Sequence, residues 1–137
     1  MERDPIRVSN ARQWFLLARE DLDNADHDLR HNPPFLRSSL FHSQQGAEKA
    51  LKGFLTWHDK PFRKVHDLET LGKQCMEVDS ALAPFVEKVE PLTKYAWHFR
   101  YPGDPQEPSL VEAQIALTLA REVMDALAGR VPREARP

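Results

Sequence analysis

The chain holds a single cysteine, Cys75, and only five glycines among its 137 residues. One thiol cannot form an internal disulfide, which excludes a disulfide-stapled scaffold and paired-cysteine metal or redox sites. The glycines are scattered, so there is no glycine-rich phosphate loop, and no serine-nucleophile motif is present either. Apolar runs are a few residues long, far short of the roughly 20 that cross a bilayer, which excludes a membrane span. Nothing at the N-terminus reads as a basic stretch followed by an apolar one. With the lone thiol, this sets the expectation of a cytoplasmic protein. Alternation with period two never extends beyond a few residues, so strands have no support. Internal repeats and low-complexity tracts are absent.

What is present suffices for one core and not for two, given the length and the 41% hydrophobic content. The formal net charge of −2 makes no global case for nucleic acid or acidic membrane. Its distribution is uneven. Residues 1–34 carry 5 basic and 7 acidic groups, residues 35–66 carry 6 and 2, and residues 67–137 carry 8 and 12. The positive charge is concentrated in the middle segment.

The prolines leave helix-sized spans between them. In the first, Ala11, Trp14, Phe15, Ala18, Leu22, Ala25 and Leu29 share about a third of a helix circumference, predicting a helix of about 20 residues that ends before Pro33. A second runs from about Phe35 to His58, with Leu36, Leu40, Ala47, Leu51 and Phe54 on one stripe. A short third covers about His66 to Val78, and a fourth, about Ser80 to His98, is interrupted by Pro91. The last starts at the capping box Ser109-Leu110-Val111-Glu112 and stops at Gly129. The fold expected is all-α, an antiparallel up-and-down bundle of four long helices and one short one, over residues 9–129. Residues 1–8 and 130–137 are expected to be tails.

The second helix has two specified faces. Ser38, His42, Lys49 and Lys52 lie within about 60° of Gln45, roughly opposite the apolar stripe. This side is either solvated or meets a second subunit or an anion. Gln44 and Glu48 lie on the flank, where buried amides and carboxylates need partners. Gly46 beside them costs about 1 kcal/mol against alanine, a cost usually offset by close approach of another backbone. Gln44, Gln45, Gly46 and Glu48 are therefore expected at a helix–helix or subunit seam.

Four motifs carry a family resemblance. "SQQGAEKALKGFL" at Ser43–Leu55, "VHDLETL" at Val65–Leu71, "FRYPGD" at Phe99–Asp104 and the opening "WFLLAREDLDNA" at Trp14–Ala25 occur in the order and with the gaps of the HEPN family, the higher-eukaryote and prokaryote nucleotide-binding domain. The chain resembles that family from about Asn10 to Ala128. The resemblance implies a helical bundle that is commonly a homodimer, often encoded beside a minimal nucleotidyltransferase in toxin–antitoxin-like pairs. It also implies one of two activities, nucleotide binding as a partner module or metal-independent RNA cleavage, and the fold alone does not choose.

The ribonuclease branch resembled here uses an arginine followed four to six residues later by a histidine, the first to hold the scissile phosphate and the second to move a proton. Arg100 has no histidine within six positions downstream, and His98 precedes it. Arg37 and His42 fit the spacing, but they start the second helix and point roughly 140° apart. Enzymatic activity is therefore not the leading expectation.

For binding, Arg63, Lys64 and His66 lead into the third helix, whose free N–H groups suit phosphate, although His66 and Asp67 are equally ordinary first-turn residues. Arg100 can fork onto a phosphate and Tyr101 can stack on a base, although Arg100 can equally pair with Glu48 or Asp104. The anion-binding candidates are thus Lys49, Lys52, Arg63, Lys64, His66, Arg100 and Tyr101. His27 and His31 have chelating spacing but no third ligand, and Cys75 sits among apolar neighbours, so neither metal nor cofactor is expected. The expected function is a nucleotide-binding or nucleotidyltransferase-partner module. An RNA-cleaving toxin and a purely structural interaction protein are the alternatives.

Overall fold

The computed structural model describes residues 4–62, 67–103 and 106–137. Among them there is no strand. The chain forms α1 (Pro5–Arg30), α2 (Leu36–Trp57), α3 (Leu68–Val78), α4 (Ala83–Val89) and α5 (Leu110–Ala128). Short 3-10 turns at Ser80–Leu82 and Glu90–Ala96 flank α4, so the expected fourth helix is broken into three pieces. Pro84 is tolerated in the first turn of α4, and Pro91 opens the 3-10 turn that follows it, because proline offers no N–H to an i−4 carbonyl.

α2 is the centre of the bundle and packs against α1, α3 and α5. Its register against α1 is antiparallel. Ser39 Oγ donates to the Ala25 carbonyl at 2.9 Å, Gly46 faces Leu22, and Gly53 faces Phe15. A Cβ on Gly46 would lie 2.4 Å from Leu22 Cδ2, and one on Gly53 would lie 3.1 Å from the Phe15 ring. Seven residues apart, the two glycines share one face and let the helices close on each other. The core gathers the predicted stripes, Phe15, Ala18 and Leu22 of α1 with Leu40, Leu51 and Phe54 of α2, and adds Ala113, Ala120 and Leu127 of α5.

The capping box forms as read: Ser109 Oγ accepts from Glu112 N at 3.0 Å, and Glu112 Oε1 accepts from Ser109 N at 3.4 Å. The two ends differ from expectation. α1 begins at Pro5, inside the segment expected as a tail, because Asp4 caps it by accepting from Ile6 N at 2.9 Å. Past Gly129, Val131 and Ala135 are buried, and Arg12 Nε donates to the Arg136 carbonyl at 3.1 Å, so this segment folds back onto α1.

Candidate functional site

The polar side of α2 faces α1. Asp21 of α1 places Oδ1 2.9 Å from His42 Nδ1 and Oδ2 2.6 Å from Lys49 Nζ. A carboxylate only accepts, so the proton of this His42 bond sits on Nδ1 and Nε2 is left as the ring's second functional nitrogen. One turn on, Lys52 is only 8% exposed, 3.6 Å from Glu48 Oε2 and over the rings of Trp14 and Phe62 at 5.4 and 5.7 Å. The basic side read from the helical wheel exists, and the chain neutralises much of it internally.

Gln44, Gly46 and Glu48 are buried within the single chain, and Gln45 Nε2 donates to Gln44 Oε1 at 2.6 Å. The neighbour at Gly46 is α1 of the same chain, so the seam is between helices. Gln44, Gly46 and Glu48 leave no surface there for a second subunit.

At the N-terminal end of α2, the segment after the second 3-10 turn crosses the helix. The Arg100 guanidinium lies 4.1 Å from the centre of the Phe41 ring, and its Nη1 donates to the Ala96 carbonyl at 2.7 Å. Among the described residues it has no carboxylate partner. Glu48 belongs to Lys52, and Asp104 lies outside the described residues. Arg37 Nη1 donates to the Phe99 carbonyl at 2.9 Å, and its Nη2 pairs with Glu107. Phe99 carries a φ of +68°, which turns the chain so that its ring is buried while Arg100 and Tyr101 face outward. Tyr101 is 65% exposed, Trp97 53% and Phe35 49%. Two guanidinium groups and three open aromatic rings thus share one end of the bundle.

Phe41 also touches the His42 ring edge-on at 5.6 Å, so Arg100 and His42 flank one aromatic side chain. The structure therefore brings Arg100, Tyr101, Arg37 and His42 into one neighbourhood, with Lys49 joined to it through Asp21. His98 lies against Phe99 at 3.9 Å between ring centres. Lys52 sits apart, eleven residues from Phe41 along α2, or about 16 Å. Arg63, Lys64 and His66 lie outside the described residues. Sequence reasoning missed Asp21, Phe41, Trp97 and Phe35. Phe41 had a signal, being an aromatic four residues before Gln45 on the polar side.

Elsewhere the titratable groups read as structural. Cys75 is buried, its thiol pushed well up by burial, and its Sγ lies 3.7 Å from the Leu51 carbonyl. A thiol held protonated is a poor nucleophile. His31 binds the Pro33 carbonyl at 2.7 Å and stacks on Phe35. No cluster of three or more potential metal ligands occurs among the described residues, and no helix there is long and apolar enough to cross a membrane.

The sequence matches the HEPN domain profile over residues 11–131. No curated protein matches it. Among solved structures, the fold is similar to the crystal structure of TT1696 from Thermus thermophilus, with a TM-score of 0.72 and 27% identity, covering 89% of this chain and 98% of that one.

Proposed function

This chain belongs to the HEPN domain family, and from that premise we propose that it is a nucleotide-binding helical module. The reading extends to a cytoplasmic, homodimeric partner of a nucleotidyltransferase-fold protein in a toxin–antitoxin-like pair. The observation that supports it most is Arg100 seated over the Phe41 ring, 4.1 Å from its centre, with open aromatic rings beside it. A guanidinium fixed on a ring keeps its fork of donors pre-organised for a phosphate, so less side-chain freedom is lost on binding. Tyr101 and Trp97 supply faces on which a base stacks, an interaction worth about 1–3 kcal/mol per base. Arg37, paired with Glu107, lies within the same neighbourhood, while Lys49 is already taken up by Asp21. The test is a titration of the purified protein with ATP, GTP and a short single-stranded RNA. Saturable binding of a nucleotide supports the reading, and silence with all three favours a purely structural interaction protein. Co-purification with the product of a neighbouring nucleotidyltransferase reading frame tests the partner.

A second reading rests on His42. Its Nδ1 is held by Asp21, an arrangement that orients an imidazole for acid–base work, and it shares Phe41 with Arg100. In this reading Arg100 or Arg37 holds the phosphate and His42 moves the proton. RNA cleavage that survives thorough chelation and disappears in His42→Ala supports it over simple binding.

A further inference from the structure

α5 buries one side against the bundle and leaves the other uncovered. Val111 is 62% exposed, Ile115 55% and Leu110 43%, all within its first two turns. Beside them runs a groove of about 480 Å³ whose floor includes Pro91, Leu92 and Leu119. Contiguous exposed apolar surface of this kind marks an interaction site.

The charges around it identify the occupant. Lys94 and Lys88 both line this groove. Lys94 adjoins Tyr95, whose hydroxyl reaches Glu112 in the first turn of α5, and Lys88 lies toward the α4 end, where Arg130 just past α5 sits over Phe85. The later half of the same exposed side is acidic, carrying Glu122 and Asp125. Lys88, Glu122 and Asp125 have no ion-pair partner among the described residues, and the Lys94 ammonium has only the Tyr95 ring, at 5.3 Å. Glu112, which Tyr95 reaches, and Glu122 are about 15 Å apart along α5, so Lys94 next to Tyr95 does not meet Glu122 within one chain. Two copies laid antiparallel about the middle of α5 bring each Lys94 to the other's Glu122 and each Ile115 to the other's Leu119. That twofold self-complementarity is what an isologous dimer contact requires.

We propose that the exposed side of α5, with the groove along its Lys88–Tyr95 flank, is the surface through which two copies of this chain pair antiparallel. The proposal rests on the homodimer reading above and is independent of any ligand.

Light scattering on a sizing column, over a wide range of protein concentration, tests it. The wild-type chain is expected to run as a dimer and Ile115→Asp as a monomer. Lys94→Glu is expected to raise the dimer dissociation constant at least tenfold, and Lys94→Glu combined with Glu122→Lys to restore it. Ile115 is exposed, so helicity and thermal midpoint should hold in that variant. If they do not, the Lys94 and Glu122 pair carries the test. A dimer untouched by Ile115→Asp or by Lys94→Glu overturns this surface and leaves the homodimer standing, whereas a wild-type chain that stays monomeric overturns both. Failure of the double charge reversal to recover association overturns the antiparallel register.

Discussion

Leu22 of α1 occupies the space beside Gly46 of α2, so that a Cβ added to the glycine would stand 2.4 Å from Leu22 Cδ2 and 3.3 Å from the Ala18 carbonyl. Alanine would gain about 1 kcal/mol of helix propensity. Displacing a buried leucine from a packed seam costs more than that. Gly46→Ala is expected to lower unfolding free energy in urea by about 1–3 kcal/mol, and Gly46→Leu by more. A variant as stable as the wild type would show that Leu22 yields without cost to a side chain at position 46.

Asp21 holds both His42 and Lys49. Asp21→Ala leaves Lys49 facing α1 without its acceptor and is expected to cost about 1–3 kcal/mol by urea unfolding. Lys49→Met in the same background should recover part of that loss, since it removes the stranded cation. Additive losses would mean that the pair contributes nothing jointly.

His58 has its pKa lowered from the usual 6.5 by burial first, then by the Arg7 and Lys60 charges. The unfolded chain therefore binds more protons than the folded one below pH 6.5. Stability from this group is full above that pH and is lost as the pH falls toward the lower folded value. Thermal midpoints at pH 7.5 and 5.5 should differ less in His58→Gln than in the wild type. An unchanged difference would assign the acid sensitivity to other groups.

Glu112 serves two partners, capping Ser109 and accepting from Tyr95 OH at 2.5 Å. The Tyr95 phenol is pushed up by burial first and by Glu112 second. Glu112→Ala is expected to lose about 1–2 kcal/mol of stability and to bring the Tyr95 phenolate transition down toward 10.0 in a spectrophotometric titration. A transition that stays in place would mean that burial alone raises it.

Much of this fold was legible in the sequence, because periodic apolar stripes and caps are local signals. The stripe of α1, the stripe of α2 and the box at Ser109 all form where they read. The fourth helix was legible only as an interruption at Pro91; how the chain continues past it depends on packing. The two ends were less legible: the Asp4 cap is local but precedes the apolar stripe, and the docking of Val131 depends on tertiary neighbours. The wheel of α2 correctly separated two faces. It could not show that Asp21, more than twenty residues earlier, would occupy the polar one, or that Gly53 repeats the role of Gly46. Arg100 was legible as a candidate; its seat on Phe41 joins residues 59 positions apart and leaves no local pattern.

Nucleotide binding at Arg100 is tested most directly by calorimetric titration of the full chain with ATP, alongside Arg100→Ala and Phe41→Ala. Saturable binding to the wild type is expected, weakened at least tenfold by Arg100→Ala, a loss of about 1.4 kcal/mol. Phe41→Ala, which removes the seat of the guanidinium and leaves its charge, should weaken binding in the same direction. Binding of equal affinity in all three proteins would contradict it.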